Sequence, residues 1–414
     1  MISDISKTEK RFILDFVKLG QFSISVLVVY YMWYNIRYGH SALVVYGSFL
    51  LMCACLLIDM LEEGELSFDD YHIGIWGNFT IVLYSFFTGF FVAYSQSGLL
   101  ESLKLLLQYA VISFATYHFA KKSENGLNWF LITVNFAALL SCYSLVTHPV
   151  ELVSGRFSLS LWNNPNTLGF MLVMGIFSIV YRFKPNIKWL IFNFPQIMLM
   201  MYGVIRTGSR KSLIAGMVLL ILWIIETLKD LQETQDRLKT IIMLIIFLIM
   251  LFIGGRYMFS TYSQSRLAFR MENMLDDESN DNRINYYISA WRIFFNKPLL
   301  GGGLDQFKYW SGIGGYAHST YAEAIADFGL IGCIIYFIPI LGAGIELIEK
   351  VASSECSCQR RIVLGLWFVE IFMGVGQIFF LDIMHFWAWT IIYIHACSYK
   401  EKNIIRRESK YIRT

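Results

Sequence analysis

Three short patches of this 414-residue chain hold residue types able to bind an anion or move a proton. "RTGSRKS" sets Arg206, Arg210 and Lys211 between two apolar blocks. "NRINYYISAWRIFFNKPLLGGG" opens on Arg283 and closes on three glycines. "YAHSTYAEAIADFGLIG" carries His318, then Glu323 and Asp327 one helical turn apart. Arginine suits phosphate because its planar fork donates two parallel hydrogen bonds. Histidine accepts a proton near neutral pH with little tuning. Together these types describe an anion clamp beside a general base. A fourth patch, "GRFSLSLWNNPN", adds Arg156, Trp162, Asn164 and Asn166. Asparagine and tryptophan are common sugar contacts, and equally common turn residues and interfacial anchors.

Each residue also has a plainer reading. Arg206 and Lys211 can snorkel to lipid headgroups. Arg210 heads the next helix, where the N-terminus adds its own attraction for anions. Arg283 suits a solvated or capping position, and Arg292 on the same helix reads as solvated. Arg256, Arg266 and Arg270 add a basic field or face water. Thr320 and Glu323 spell a T-x-x-E capping box. Asp327 lies deeper, where an unpaired carboxylate is costly, so it either pairs with an arginine or positions a substrate. Asp382 and His385 stand at the start of the last apolar block.

These residues need elements to hold them, and composition says which kind. The chain is 56% hydrophobic and 17% aromatic but only 16% charged, with six prolines. A soluble protein averages roughly 25% charged residues. The apolar residues form long blocks, and a membrane span needs about 20 of them. Twelve spans are expected, near 13–34, 41–61, 73–95, 98–118, 127–147, 165–183, 187–205, 211–228, 239–255, 320–347, 362–380 and 382–398. The 98–118 block, with Glu101 and Lys104, is the weakest. The division at 205–211 requires "RTGSR" to be a turn. The fold class is therefore all-α integral membrane, a single polytopic domain over 1–414. The start "MISDISKTEKRF" is polar with no small-residue cleavage site, so the first block is expected to be retained.

Lysine and arginine in short loops orient such a bundle. "AKKSENG", "RFKPNIK", "LKDLQETQDRLK", "EKVASSECSCQRR" and the C-terminal tail then share the cytoplasm with the N-terminus. The four patches fall on the outer face, along with a long loop over 256–319. Ile284, Tyr287, Ile288, Trp291 and Phe295 follow the spacing of one helical face inside that loop. Asp281 or Asn282 can cap this amphipathic helix and Pro298 ends it, which suits a membrane interface.

Several chemistries lack their signals. No G-x-x-x-x-G-K-[ST], H-E-x-x-H or G-x-S-x-G occurs. "GIGGYAHS" neither follows a strand nor opens a nucleotide-binding helix. Cys356 and Cys358 form one C-x-C without a second pair, so no metal site is expected. No cofactor and no nucleic-acid partner are expected either, and no internal repeat or low-complexity segment is visible.

The order of patches, S-R after a span, R…W…P-x-x-G-x-G in the outer loop, then H-S-x-Y-x-E…G-L-I-G, resembles the O-antigen ligase and polymerase superfamily. "NPN" at 164–166 resembles a further family feature. The resemblance covers roughly residues 155–345, with Ser319 where the family often has asparagine. It implies a GT-C-type glycosyltransferase of the bacterial cytoplasmic membrane, with both termini cytoplasmic and its active site outside. It implies a donor glycan linked through diphosphate to a polyprenol lipid, a glycan acceptor, membrane lipid, and in some systems a chain-length regulator. By motif match Arg210, Arg283 and His318 take the catalytic positions, with Arg206, Arg156, Asn166, Asp327 and Glu323 as substrate-binding candidates. The motif forms lean towards a repeat-unit polymerase of O-antigen, capsule or exopolysaccharide, inverting and metal-independent. A ligase that hands the glycan to a lipid A core or another acceptor is the alternative. A polysaccharide-repeat flippase is the alternative from another class. Transporters place charge at the midplane and often repeat their halves, whereas these charges gather at one face.

Overall fold

A computed structural model describes residues 15–63, 71–152, 156–160, 164–183, 187–233, 279–353 and 357–397, with isolated helical positions between 238 and 268. The described helices are α1 (Phe16–Tyr38), α2 (Ala42–Glu63), α3 (Ile73–Val92), α4 (Gln96–Lys122), α5 (Asn128–Thr147), α6 (Pro165–Tyr181), α7 (Ile187–Thr207), α8 (Arg210–Glu233), α9 (Ser279–Asn296), α10 (Phe307–Trp310), α11 (Thr320–Ala352), α12 (Cys358–Met373) and α13 (Ile383–Ala396). One two-residue hairpin pairs β1 (Val150–Glu151) antiparallel with β2 (Phe157–Ser158). α1, α2, α3, α4, α5 and α11 are long and apolar enough to cross a membrane, and α6 is a shorter apolar helix. The protein is an all-α membrane protein. The expected 239–255 span falls almost wholly outside the described residues.

Length and apolar composition make these helices. Their ends are set by local chemistry. Asn164 caps α6, its side chain accepting from the Asn166 N–H, and Pro165 follows at the first helical position. Gly208 takes φ +64° between α7 and α8, a left-handed turn that ends one helix and starts the next. The expected turn at "RTGSR" therefore stands. α4, whose block carries Glu101 and Lys104, is the most internal of the six long helices, with 67% of its apolar window buried in the bundle. Its charges face outward, and Lys104 donates to the Tyr46 hydroxyl at 2.8 Å.

Two ends of the bundle are distinct. At one, Asp59 meets His118 and Lys122, Arg361 meets Glu226, and the Tyr181 hydroxyl meets His395. At the other, the 150–158 hairpin, the Gly208 turn, the start of α6, residues 298–318 and the α12–α13 turn meet one another. The four chemical patches all fall at this second end.

α9 begins at Ser279, so Asp281 and Asn282 lie inside the helix rather than capping it. It ends at Asn296, before Pro298, as expected. Its apolar stripe is not buried in protein: Ile284, Ile288, Trp291 and Phe295 are 48–73% exposed. The opposite face, through Ala290, Ile293 and Tyr286, packs on Phe307, Ala317 and Ala326. An exposed aromatic stripe beside a bundle end suits the lipid–water boundary.

Candidate active site

α11 is not one continuous helix. Gly329 adopts φ +61°, ψ −164° within it, which frees backbone groups on both sides. The chain at 298–303 repairs the break from outside. Leu330 donates to the Pro298 carbonyl at 2.8 Å and Ile331 to the Leu299 carbonyl at 3.2 Å. In return Gly302 donates to Ala326 O and Gly303 to Asp327 O, at 2.7 and 2.8 Å. The approach is close enough to need glycine. A Cβ on Gly301, which has φ +71°, would collide with the Asp327 carbonyl oxygen, and one on Gly329 would stand 2.5 Å from Gly301 N.

Asp327 completes this joint. Its carboxylate is buried and accepts from the N–H groups of Asp305 (2.7 Å), Gln306 (3.2 Å) and Phe307 (2.9 Å). These are orphan donors at the start of α10, so the side chain caps that helix from another element. Asp305, itself at φ +58°, binds Ser102 and Lys308, and Gln306 accepts from Ser95 N. The glycine loop is thereby tied to α4 as well as to α11.

Glu323 is likewise buried, and its carboxylate accepts from Ala317 N at 2.5 Å. The expected capping box shifts by one residue. Ser319 is the N-cap, accepting from Ala322 N. Thr320 instead donates its hydroxyl to Gln377 O (2.6 Å), accepts from Phe379 N, and gives its own N–H to Gly374 O. For Glu323 and Asp327 the geometry supports a positioning role rather than substrate contact.

This scaffold fixes His318. Its neighbours on either side are pinned, Ala317 by Glu323 and Ser319 by the cap. The residue sits at φ +55°, a conformation disfavoured for any side chain with a Cβ. Its ring lies 4.1 Å from that of Tyr316 and 5.5 Å from that of Tyr286, centroid to centroid. Among the described residues neither ring nitrogen has a hydrogen-bond partner, and the side chain is half-buried. Burial, and then the cations Arg283 and Lys211, push the imidazole pKa below its ordinary value. The ring is neutral at pH 7 and open to accept a proton.

The arginines divide. Arg283, near the start of α9, acts on both His318 and Lys211, and Arg210 acts on Lys211. Arg210, Lys211, Arg283 and His318 thus form one electrostatic cluster. Arg206 lies outside it: its guanidinium stacks 3.7 Å above the Phe157 ring on β2. Arg156 is a tie between elements. Its Nε donates to the Thr207 carbonyl and an Nη to Asn166 Oδ1, both at 2.8 Å. Asn164 then donates to the Tyr316 hydroxyl at 2.9 Å. The "NPN" patch therefore reaches His318 through Tyr316. Trp162 lies outside the described residues, as do most residues from 234 to 278, including Arg266 and Arg270.

Two parts of the site were not marked by sequence chemistry. Tyr286 and Tyr316 carried no signal beyond aromaticity. The turn at 374–379 offered only glycines and a glutamine, yet it anchors Thr320 and accepts from the Tyr287 hydroxyl at Val375 O. His385 lies beneath it, fully buried and bonded to Glu370 and Gln377. Asp382 caps α13.

Residues 196–337 match the family model described as O-antigen ligase. The match runs from within α7 into α11 and includes Arg206, Arg210, Arg283, His318, Glu323 and Asp327, while Arg156 and Asn166 precede it. No curated protein matches the chain significantly.

Proposed function

From a chain that belongs, through residues 196–337, to the O-antigen ligase and polymerase superfamily, we propose a polymerase of bacterial surface polysaccharide. It transfers a polyprenyl-diphosphate-linked glycan onto the sugar hydroxyl of another lipid-linked repeat, at the outer face of the cytoplasmic membrane. The observation that carries this reading is the open His318 imidazole, held beside Arg283 and Lys211. His318 takes the acceptor hydroxyl's proton as that oxygen bonds to the anomeric carbon. The bond from that carbon to the diphosphate oxygen breaks, and its electron pair leaves on the diphosphate. Attack opposite the leaving group inverts the configuration. Arg210 and Arg283 hold the diphosphate and stabilise its growing charge. Arg156, Asn164 and Tyr316 brace the imidazole, and Arg206 supports the hairpin. The motif forms favour transfer to a second lipid-linked repeat over transfer to a lipid core.

The test uses the purified full-length protein with purified lipid-linked repeats, read as chain elongation. Elongation at the wild-type rate by folded Arg210→Ala or His318→Ala protein overturns the reading. A pH profile supplies a second check. The base must be neutral, so kcat/KM falls as pH drops through the pKa of His318. Because that pKa is lowered, the acid limb is expected below the ordinary histidine value of about 6.5. A limb above that value removes His318 as the base.

A further inference from the structure

Lys211 stands apart from the other cations of the site. It is the second residue of α8, and its Nζ is buried without a hydrogen-bond partner among the described residues. Among the described residues the charges acting on it are those of Arg210 and Arg283, both of its own sign. A buried ammonium among like charges is costly unless an anion joins it. Space for it is left by the α12–α13 turn: a Cβ built on Gly376 would collide with Lys211 Nζ. Gly376 does not have a positive φ, so the backbone does not demand glycine there, and a methyl at this position would have to push the ammonium aside.

Resting on the glycosyl-transfer reading above, we propose that Lys211 is the cation that answers the charge developing on the leaving diphosphate. The glycosylated donor is a diphosphate diester with one negative charge on each phosphate. Cleavage of its bond to the anomeric carbon leaves a terminal phosphate that carries one more. Arg210 and Arg283 match the ground-state charges with rigid forks. Lys211, a point charge on a flexible stem, matches the charge that exists only as the bond breaks. Interactions stronger in the transition state than in the ground state raise kcat rather than lower KM.

The experiment compares wild-type protein with Lys211→Met, Lys211→Arg and Gly376→Ala, all full-length and checked for an unchanged melting midpoint. Two probes are bound in detergent: geranylgeranyl diphosphate, which stands for the leaving group, and its glycosylated diester, which stands for the donor. Lys211→Met is expected to lower kcat about 100-fold with KM nearly constant, the size seen for loss of one preorganised donor. It weakens the free diphosphate about tenfold or more and leaves the diester nearly unchanged, since only the former carries the extra charge. Lys211→Arg recovers part of the loss. Gly376→Ala reproduces the loss although the lysine remains, because the methyl displaces the ammonium. Removing this cation also moves the acid limb of kcat/KM to higher pH, because Lys211 is one of the charges that hold the His318 pKa down. If Lys211→Met weakens both probes equally, or neither, while Arg210→Ala and Arg283→Ala weaken both, this inference alone falls. If the arginine variants also bind both probes normally, the site reading falls with it.

Discussion

His318→Ala is expected to cut chain elongation by about 10²–10⁴-fold, the usual contribution of a general base, with little change in stability. The two halves of this prediction have separate causes. The imidazole makes no hydrogen bond to the described residues and is only half-buried, so its loss opens no unsatisfied group. The φ of +55° is strained for alanine and histidine alike, so the backbone cost barely changes. What disappears is, among the described residues of the cluster, the only group able to accept a proton at pH 7. Arg210, Lys211 and Arg283 are cations and cannot. Glu323 and Asp327 spend their carboxylates on backbone N–H groups. His318→Gln separates the ring's bulk from its basicity and should be as inactive as alanine. The measurement is elongation of purified lipid-linked repeats, with the melting midpoint in detergent as the control. A folded variant that elongates normally ends the base assignment. Loss of activity together with a collapsed midpoint would instead make the residue a structural one.

The helices were legible because apolar blocks of membrane length admit few other states, and α6, α7 and α11 stand where those blocks predicted them. Their junctions were partly legible. The division at 205–211 required "RTGSR" to be a turn, and Gly208 supplies the left-handed φ that a helix end favours. The cap of α11 slipped by one residue because Ser319 and Thr320 both suit the position. The choice falls to Ser319 because the Thr320 hydroxyl is drawn to Gln377 O, 57 residues onward. The stripe on α9 was read correctly as a pattern, but a pattern cannot tell whether an apolar face meets protein or lipid. Asp327 shows the same limit for chemistry. Sequence exposed the cost of a carboxylate in an apolar span but not its donors, which lie 20–22 residues upstream in a loop. Arg206 and Lys211 were equivalent in sequence, and separate only once one stacks on Phe157 and the other is enclosed near Gly376.

Asp327→Ala should be the most destabilising change at this end of the bundle, and its activity loss should follow from instability. The Asp305 and Phe307 amides lose their acceptor at once, at about 1–3 kcal/mol for each left unsatisfied, while Gln306 N keeps its bond to the Gly303 carbonyl. A shortfall of several kcal/mol should lower the melting midpoint by roughly 5–10 °C. The damage also propagates. Asp327 holds the start of α10, α10 holds the glycine loop through Gln306 and Trp310, and that loop repairs the break at Gly329. Loosening it frees the segment that leads to His318. Asp327→Asn keeps one side-chain oxygen, enough for the two donors that share Oδ1, but turns an NH₂ towards the Asp305 N–H. Its midpoint should fall between wild type and alanine. A substrate-binding Asp327 predicts the reverse order of effects, with activity lost in both variants at an unchanged midpoint. Melting curves and elongation rates of the two variants, measured side by side, decide between a residue that builds the site and one that touches what enters it.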